Sequence, residues 1–114
     1  MLQLYTHSAC LQHDPGAGHA EQPARLRAVL RALDHDRYRA IDRIEAPQAT
    51  REQLLRVHDA RHIERILGSD PARGTLRLDE DTLMSKGSAE AALRAAGAVV
   101  AAVDAVLSGS ARRA

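Results

Sequence analysis

The sequence predicts an α/β fold with a parallel sheet, and three observations point to it. A short segment at Leu2–Tyr5 alternates apolar and polar or aromatic residues, and a second short mixed segment, Arg39–Ile44, comes after a stretch of helical period. Strand, helix, strand in that order is how a parallel pair with a crossover is written. The third observation is a long helical stretch, Ala92–Leu107, whose small and β-branched residues suit close packing on a sheet.

Each element has its own local reasons. Leu2–Tyr5 reads as a strand ending at Thr6-His7-Ser8, and Ser8–Gln22, with Pro15, Gly16 and Gly18, reads as a long loop. Pro23 suits the first turn of a helix, and Leu26, Val29, Leu30 and Leu33 follow on one face. Arg39–Ile44, closed by Pro47, is the expected second strand. Thr50 with Gln53 is a capping box for a short helix. Asp59 caps the next, Ala60–Leu67, which turns Ile63, Ile66 and Leu67 inward and stops at Gly68. Ser69–Thr82 reads as loop, ending in Asp79-Glu80-Asp81. Ser85 or Ser88 is the expected cap of the last helix, which runs to Gly109, and the tail Ser110–Ala114 reads as a connector.

The 114 residues (12.4 kDa) make a single domain the expectation. Sixteen Lys+Arg against fifteen Asp+Glu leave a net charge of +1, scattered along the chain, so neither nucleic acid nor an anionic membrane is an expected partner. No run reaches the roughly 18 apolar residues of a membrane span, and the first residues lack the basic flank and apolar core of a secretory signal. A lone cysteine, Cys10, excludes an internal disulfide. These features predict a cytoplasmic protein. With no Trp or Phe, and only Tyr5 and Tyr38 as aromatics, the core is expected to be thin and the chain poorly stable unaided.

Three constellations invite chemistry. His7, His13 and His19 recur every six residues; metal ligation is one reading, but the spacing is wider than zinc sites use, and loop hydrogen bonding is the other. His58 and His62, four apart, share a helix face or mark a helix boundary. Asp79, Glu80 and Asp81 read as a hard-cation site, a solvated turn, or a rim carboxylate accepting hydrogen bonds from a ligand. Cys10 has no base near it in sequence, which argues against a nucleophile.

Gly18-His19-Ala20-Glu21-Gln22-Pro23-Ala24-Arg25-Leu26 resembles the His-Pro-Glu-x-Pro-x-Arg segment of the zinc-dependent histone deacetylase and acetylpolyamine amidohydrolase family. Leu55–Ile63 is similar to its Val-His helix junction, and Leu78–Ser88 with Ala91–Ala98 to its bacterial class II-like branch. Ala20 stands where that family usually has Pro, and His62 where Tyr is common. The resemblance implies the opening βαβ part of a three-layer α/β deacetylase (arginase-like) fold, with residues 1–114 as the N-terminal portion of one domain. The implied activity of the whole domain is zinc-dependent hydrolysis of acetyl-lysine or acetylpolyamine amides. Its Pro-Gly-His-His segment, Asp-x-His pair and oxyanion-stabilising Tyr have no match here, so no catalytic residue and no metal ligand is assigned within the chain, which is expected to be inactive alone. Asp81 matches the rim aspartate that binds the substrate backbone, and Arg25 the arginine of the product channel. The implied partners are the acetylated substrate and the C-terminal remainder of the domain. The competing reading is a non-catalytic helical interaction module that uses Ala92–Leu107 as a partner surface.

Overall fold

The computed structural model describes residues 1–114 and pairs β1 (Gln3–Thr6) with β2 (Asp42–Glu45) in parallel, Tyr5 opposite Ile44. The expected α/β order is present. A 3-10 turn, Ser8–Gln12, follows β1 within what the sequence presents as plain loop. Pro23 then opens α1 (Pro23–Leu33), whose final carbonyls are tied back to the sheet. Arg43 on β2 donates to the Leu33 carbonyl at 2.6 Å and pairs with Asp34 at 3.0 Å, so one guanidinium closes the crossover. The second strand begins later than the composition suggests, because Asp36–Tyr38 coils into a 3-10 turn and Arg39 stays in it as the cap.

α2 (Arg51–Leu55) starts in the reciprocal capping box of Thr50 and Gln53, and α3 (Ala60–Leu67) in the Asp59 cap, whose carboxylate accepts the His62 N–H at 2.7 Å. Ile63 is buried and Gly68 ends α3, as the periodicity requires.

Residues 69–82 are not wholly loop. β3 (Thr75–Arg77) and β4 (Leu83–Ser85) form an antiparallel hairpin, with Leu76 opposite Met84. Three-residue strands are too short to leave an alternation that can be read. The cap of α4 (Ser88–Leu107) also departs from expectation. Gly87, at φ 92°, occupies the cap position, and neither Ser85 nor Ser88 caps the helix. The free amides are taken by Asp70, whose two carboxylate oxygens accept from Gly87 N at 2.9 Å and Ala89 N at 3.0 Å. A carboxylate there also meets the positive end of the helix dipole. Nor is the tail a simple connector, since Arg113 forms an isolated parallel bridge with Leu2 and its carbonyl accepts the Gln3 N–H at 3.0 Å.

α4 packs on β1, on the 3-10 turn after it and on β4. The closest approach is at Gly97, where a Cβ would lie 1.9 Å from the Pro47 carbonyl oxygen, and Ala49 N–H bonds the Leu93 carbonyl at 2.9 Å beside it. Small residues let the strap cross the helix. The core is as thin as the composition predicts: 12 of 114 residues are buried, with Ile63 and Met84 the largest apolar ones. The accessible surface is 7854 Å², against about 6,100 Å² for a typical monomer of this mass. The radius of gyration, 15.5 Å, likewise exceeds the roughly 13 Å of a closed domain of this length. Exposed apolar side chains include those on the far half of α4, where Val99 is 64% and Leu107 80% exposed. No helix is long and apolar enough to cross a membrane.

Candidate functional site

Asp81 lies in the turn of the β3–β4 hairpin, and its backbone is pinned from both sides. Its N–H donates to the Asp79 carboxylate at 3.0 Å, and its carbonyl accepts from His19 Nε2 at 3.1 Å. Arg77 braces the same turn by donating to the carbonyls of Asp79 and Glu80, the latter at 2.6 Å. The Asp81 side chain is exposed and takes part in no hydrogen bond or ion pair. A carboxylate on a fixed backbone with its lone pairs free is well placed to accept N–H groups from a ligand.

Asp79 is more than a solvated residue. A hydrogen bond from the Thr82 side chain, the Asp81 amide and the Thr82 amide hold its carboxyl below the usual carboxylate range, with a smaller contribution from the charge of Arg65. The acidic cluster is therefore a turn organised by Asp79 that presents Asp81.

Beside the hairpin, an open cavity of about 1160 Å³ runs between α1, α3 and the start of α4. Apolar groups such as Leu26, Ile66 and Met84 line most of it, with Arg25, His13 and His58 among its polar members. Arg25 is exposed, forms no ion pair and donates only to the Ala20 carbonyl at 3.4 Å, so the helix-face ion pair is not what holds it. The structure does not bring Arg25 and Asp81 into contact. Arg25 lines the cavity, whereas Asp81 sits just outside it, between the lining residues Asp79 and Thr82.

The histidine series is a set of loop pins, as its wide spacing suggests. His7 Nδ1 accepts the Ala9 N–H at 3.0 Å and its Nε2 meets Glu45 at 3.0 Å. His13 bridges Ser88 Oγ at 2.8 Å and Glu21 at 3.1 Å. His19 Nδ1 accepts the Glu21 N–H at 3.1 Å, opposite its bond to Asp81. Each ring ties the Ser8–Gln22 segment to a different element. His58 and His62 do share a face, with ring centroids 4.9 Å apart. No three His, Cys, Asp or Glu side chains converge as a metal site, so these residues do not fit a zinc ion. Cys10 is half-buried, and burial pushes its thiol up, with the His7 backbone bond and Arg94 opposing, which disfavours the nucleophilic thiolate.

Sequence reasoning missed the supports of this site rather than its tip. Asp70, Ser85 and Ser88 converge at the start of α4, where Ser85 Oγ donates to the Gln12 carbonyl at 3.1 Å and accepts the Asp14 N–H at 2.9 Å. Apart from the contact between the two serines, their partners lie 17 to 75 residues away, beyond the reach of any local pattern.

A parallel α/β pair, a long small-residue helix on it and a braced acidic turn beside a cleft define a fragment of a deacetylase fold, and sequence agrees: residues 19–114 match the histone deacetylase domain model. The chain belongs to that family. It is 40% identical over 102 residues to the histone deacetylase-like amidohydrolase of Pseudomonas aeruginosa, covering 89% of this chain and 27% of that protein. The crystal structure of the HDA15 HD domain superposes with a TM-score of 0.85 at 24% identity, over 97% of this chain and 33% of that one, a likeness of fold. The chain thus spans about a quarter to a third of the length of these relatives.

Proposed function

We propose that this chain is the opening part of a zinc-dependent deacetylase domain, cytoplasmic and acting on acetyl-lysine or acetylpolyamine amides. In the whole domain, a zinc held by residues outside this chain would polarise the acetyl carbonyl and acidify a water. This chain's residues do not build that centre, and alone it neither retains zinc nor turns over substrate. Its contribution is to bind and orient. Asp81 accepts N–H groups of the substrate backbone, and Arg25 on the cavity wall offers a guanidinium to the departing acetate. The partners are the acetylated substrate and the rest of the domain, which covers the open valine face of α4; nucleic acid and membrane are not among them. The observation that carries this reading is the free carboxylate of Asp81 on a backbone held by both Asp79 and His19.

In an active full-length protein containing this segment, Asp81→Ala lowers kcat/KM roughly ten- to a hundred-fold, the 1.5–3 kcal/mol of lost charge-assisted contacts, and bound zinc is retained. Glu80→Ala is the control, because the Glu80 side chain has no partner and only its carbonyl is used. Loss of zinc in the Asp81 variant, or equal losses at both positions, would refute the assignment. A second reading, a non-catalytic interaction module, draws on the exposure of Val99 and Leu107. Stoichiometric zinc with turnover by the isolated chain would exclude both.

A further inference from the structure

We infer that His19 is a positioning residue whose single imidazole couples the segment leading into α1 to the turn that carries Asp81. The inference rests on the reading of Asp81 as the substrate-binding carboxylate and names what sets its position.

The chemistry of the ring fixes its tautomer. Nδ1 accepts the Glu21 N–H at 3.1 Å, so it carries no proton. Nε2 faces the Asp81 carbonyl at 3.1 Å, and because a carbonyl oxygen only accepts, Nε2 bears the proton and donates it. Each nitrogen thus does a different job. The Nδ1 bond shapes the segment's own turn two residues on; the Nε2 bond reaches across 62 residues of sequence to the hairpin.

The surroundings show why the ring can hold Asp81 steady. Gly16 at φ 107° and Gly18 at φ 81° turn the chain ahead of it, and His19 N–H closes that turn on the Gly16 carbonyl at 3.3 Å. Pro23, buried, follows at the start of α1. Farther back, His13 and Glu21 clasp the segment at its ends and His13 anchors it to Ser88 at the start of α4. The other two histidines of the series never reach the hairpin turn: His7 ends on Glu45 and His13 on Ser88 and Glu21. Asp81 therefore owes its one bond from outside the hairpin to His19.

Two conservative variants divide the ring's functions. Asn places its amide oxygen near Nδ1 and keeps the local turn, but does not reach Asp81; Gln extends a donor toward the Nε2 position and gives up the local acceptor. The measurement is hydrogen–deuterium exchange by mass spectrometry on the full-length protein containing this segment, reading residues 78–84, with the amides of α4 from 91 to 105 as the reference for global folding. His19→Asn raises exchange in 78–84 about five-fold, the factor one net hydrogen bond carries, while His19→Gln stays within about two-fold of the parent. No change in the Asn variant, or an equal rise in the Gln variant, overturns the assignment. The substrate reading is tested apart from it. In the active full-length protein, Asp81→Ala with an unchanged KM sinks that reading whatever the exchange pattern, whereas a raised KM in His19→Asn, restored in His19→Gln, supports both.

Discussion

The two ends of α4 are built on opposite principles. At its start, the helix is closed by polar groups from distant segments: Asp70 takes the free amides, Ser88 Oγ accepts the Ser85 N–H at 2.8 Å, and His13 completes the cluster. Every buried side-chain nitrogen and oxygen finds a partner. Toward its other end the closure is only local, with Ser108 and Ser110 Oγ donating to the Ala105 carbonyl, and Val99, Val103, Val106 and Leu107 face outward beside Leu4 and Tyr5 of β1. Polar groups with exact partners fix the first half in one place, whereas an uncovered apolar stripe specifies that something else packs there. The site is held by the half that is complete.

Three sets of variants probe that contrast, beginning at the point where the halves meet. Gly97→Ala puts a methyl 1.9 Å from the Pro47 carbonyl oxygen and 2.7 Å from the Ala49 nitrogen. Both are backbone atoms and neither yields cheaply, so a loss of about 3 kcal/mol or more is expected, read as a fall in the urea or thermal midpoint. An unaltered midpoint would mean that the 47–49 strap does not rest on α4. Asp70→Ala is next, with about 1–2 kcal/mol expected from a lost cap, and Asp70→Asn about half of that because one acceptor remains; if both match the parent, the start of α4 is not closed as described. Last, Val99→Lys and Val103→Lys alter the open face. Their stability changes stay within about 0.5 kcal/mol, while light scattering records less self-association than in the parent. A loss of 2 kcal/mol or more, on the scale of a buried aliphatic truncation, would place those valines inside a core.

What could be read from the sequence was local. The Thr50–Gln53 box, the Asp59 cap, Pro23 at the first turn of α1 and the Ile63 stripe all lie within a few residues of the groups they serve, and each is where the pattern puts it. The motifs around Arg25 and Asp81 also led to the family to which the chain belongs. The hairpin escaped because Thr75–Arg77 and Leu83–Ser85 are too short for a period, and its pairing is decided across the Asp79 turn. The α4 cap escaped for another reason. Serines next to a helix start are the usual caps, but here Ser85 and Ser88 are spent on each other and on His13, leaving the amides to Asp70. Asp79, for which the sequence left a cation site, a solvated turn and a rim carboxylate open, accepts the Asp81 N–H at 3.0 Å within the turn.

The bridge between Leu2 and Arg113 carries a kinetic consequence. One edge of β1 is paired along residues 42–45, whereas the other is met only at its start, where Arg113, more than a hundred residues downstream, bridges Leu2 and accepts the Gln3 N–H. At a synthesis rate of about 5–20 residues per second, that second edge stays unpaired for several seconds after the first has closed. During this interval Gln3-Leu4-Tyr5-Thr6 is a strand with no charge of its own to repel another chain. The window for misassembly on the ribosome is therefore set by how late Arg113 arrives.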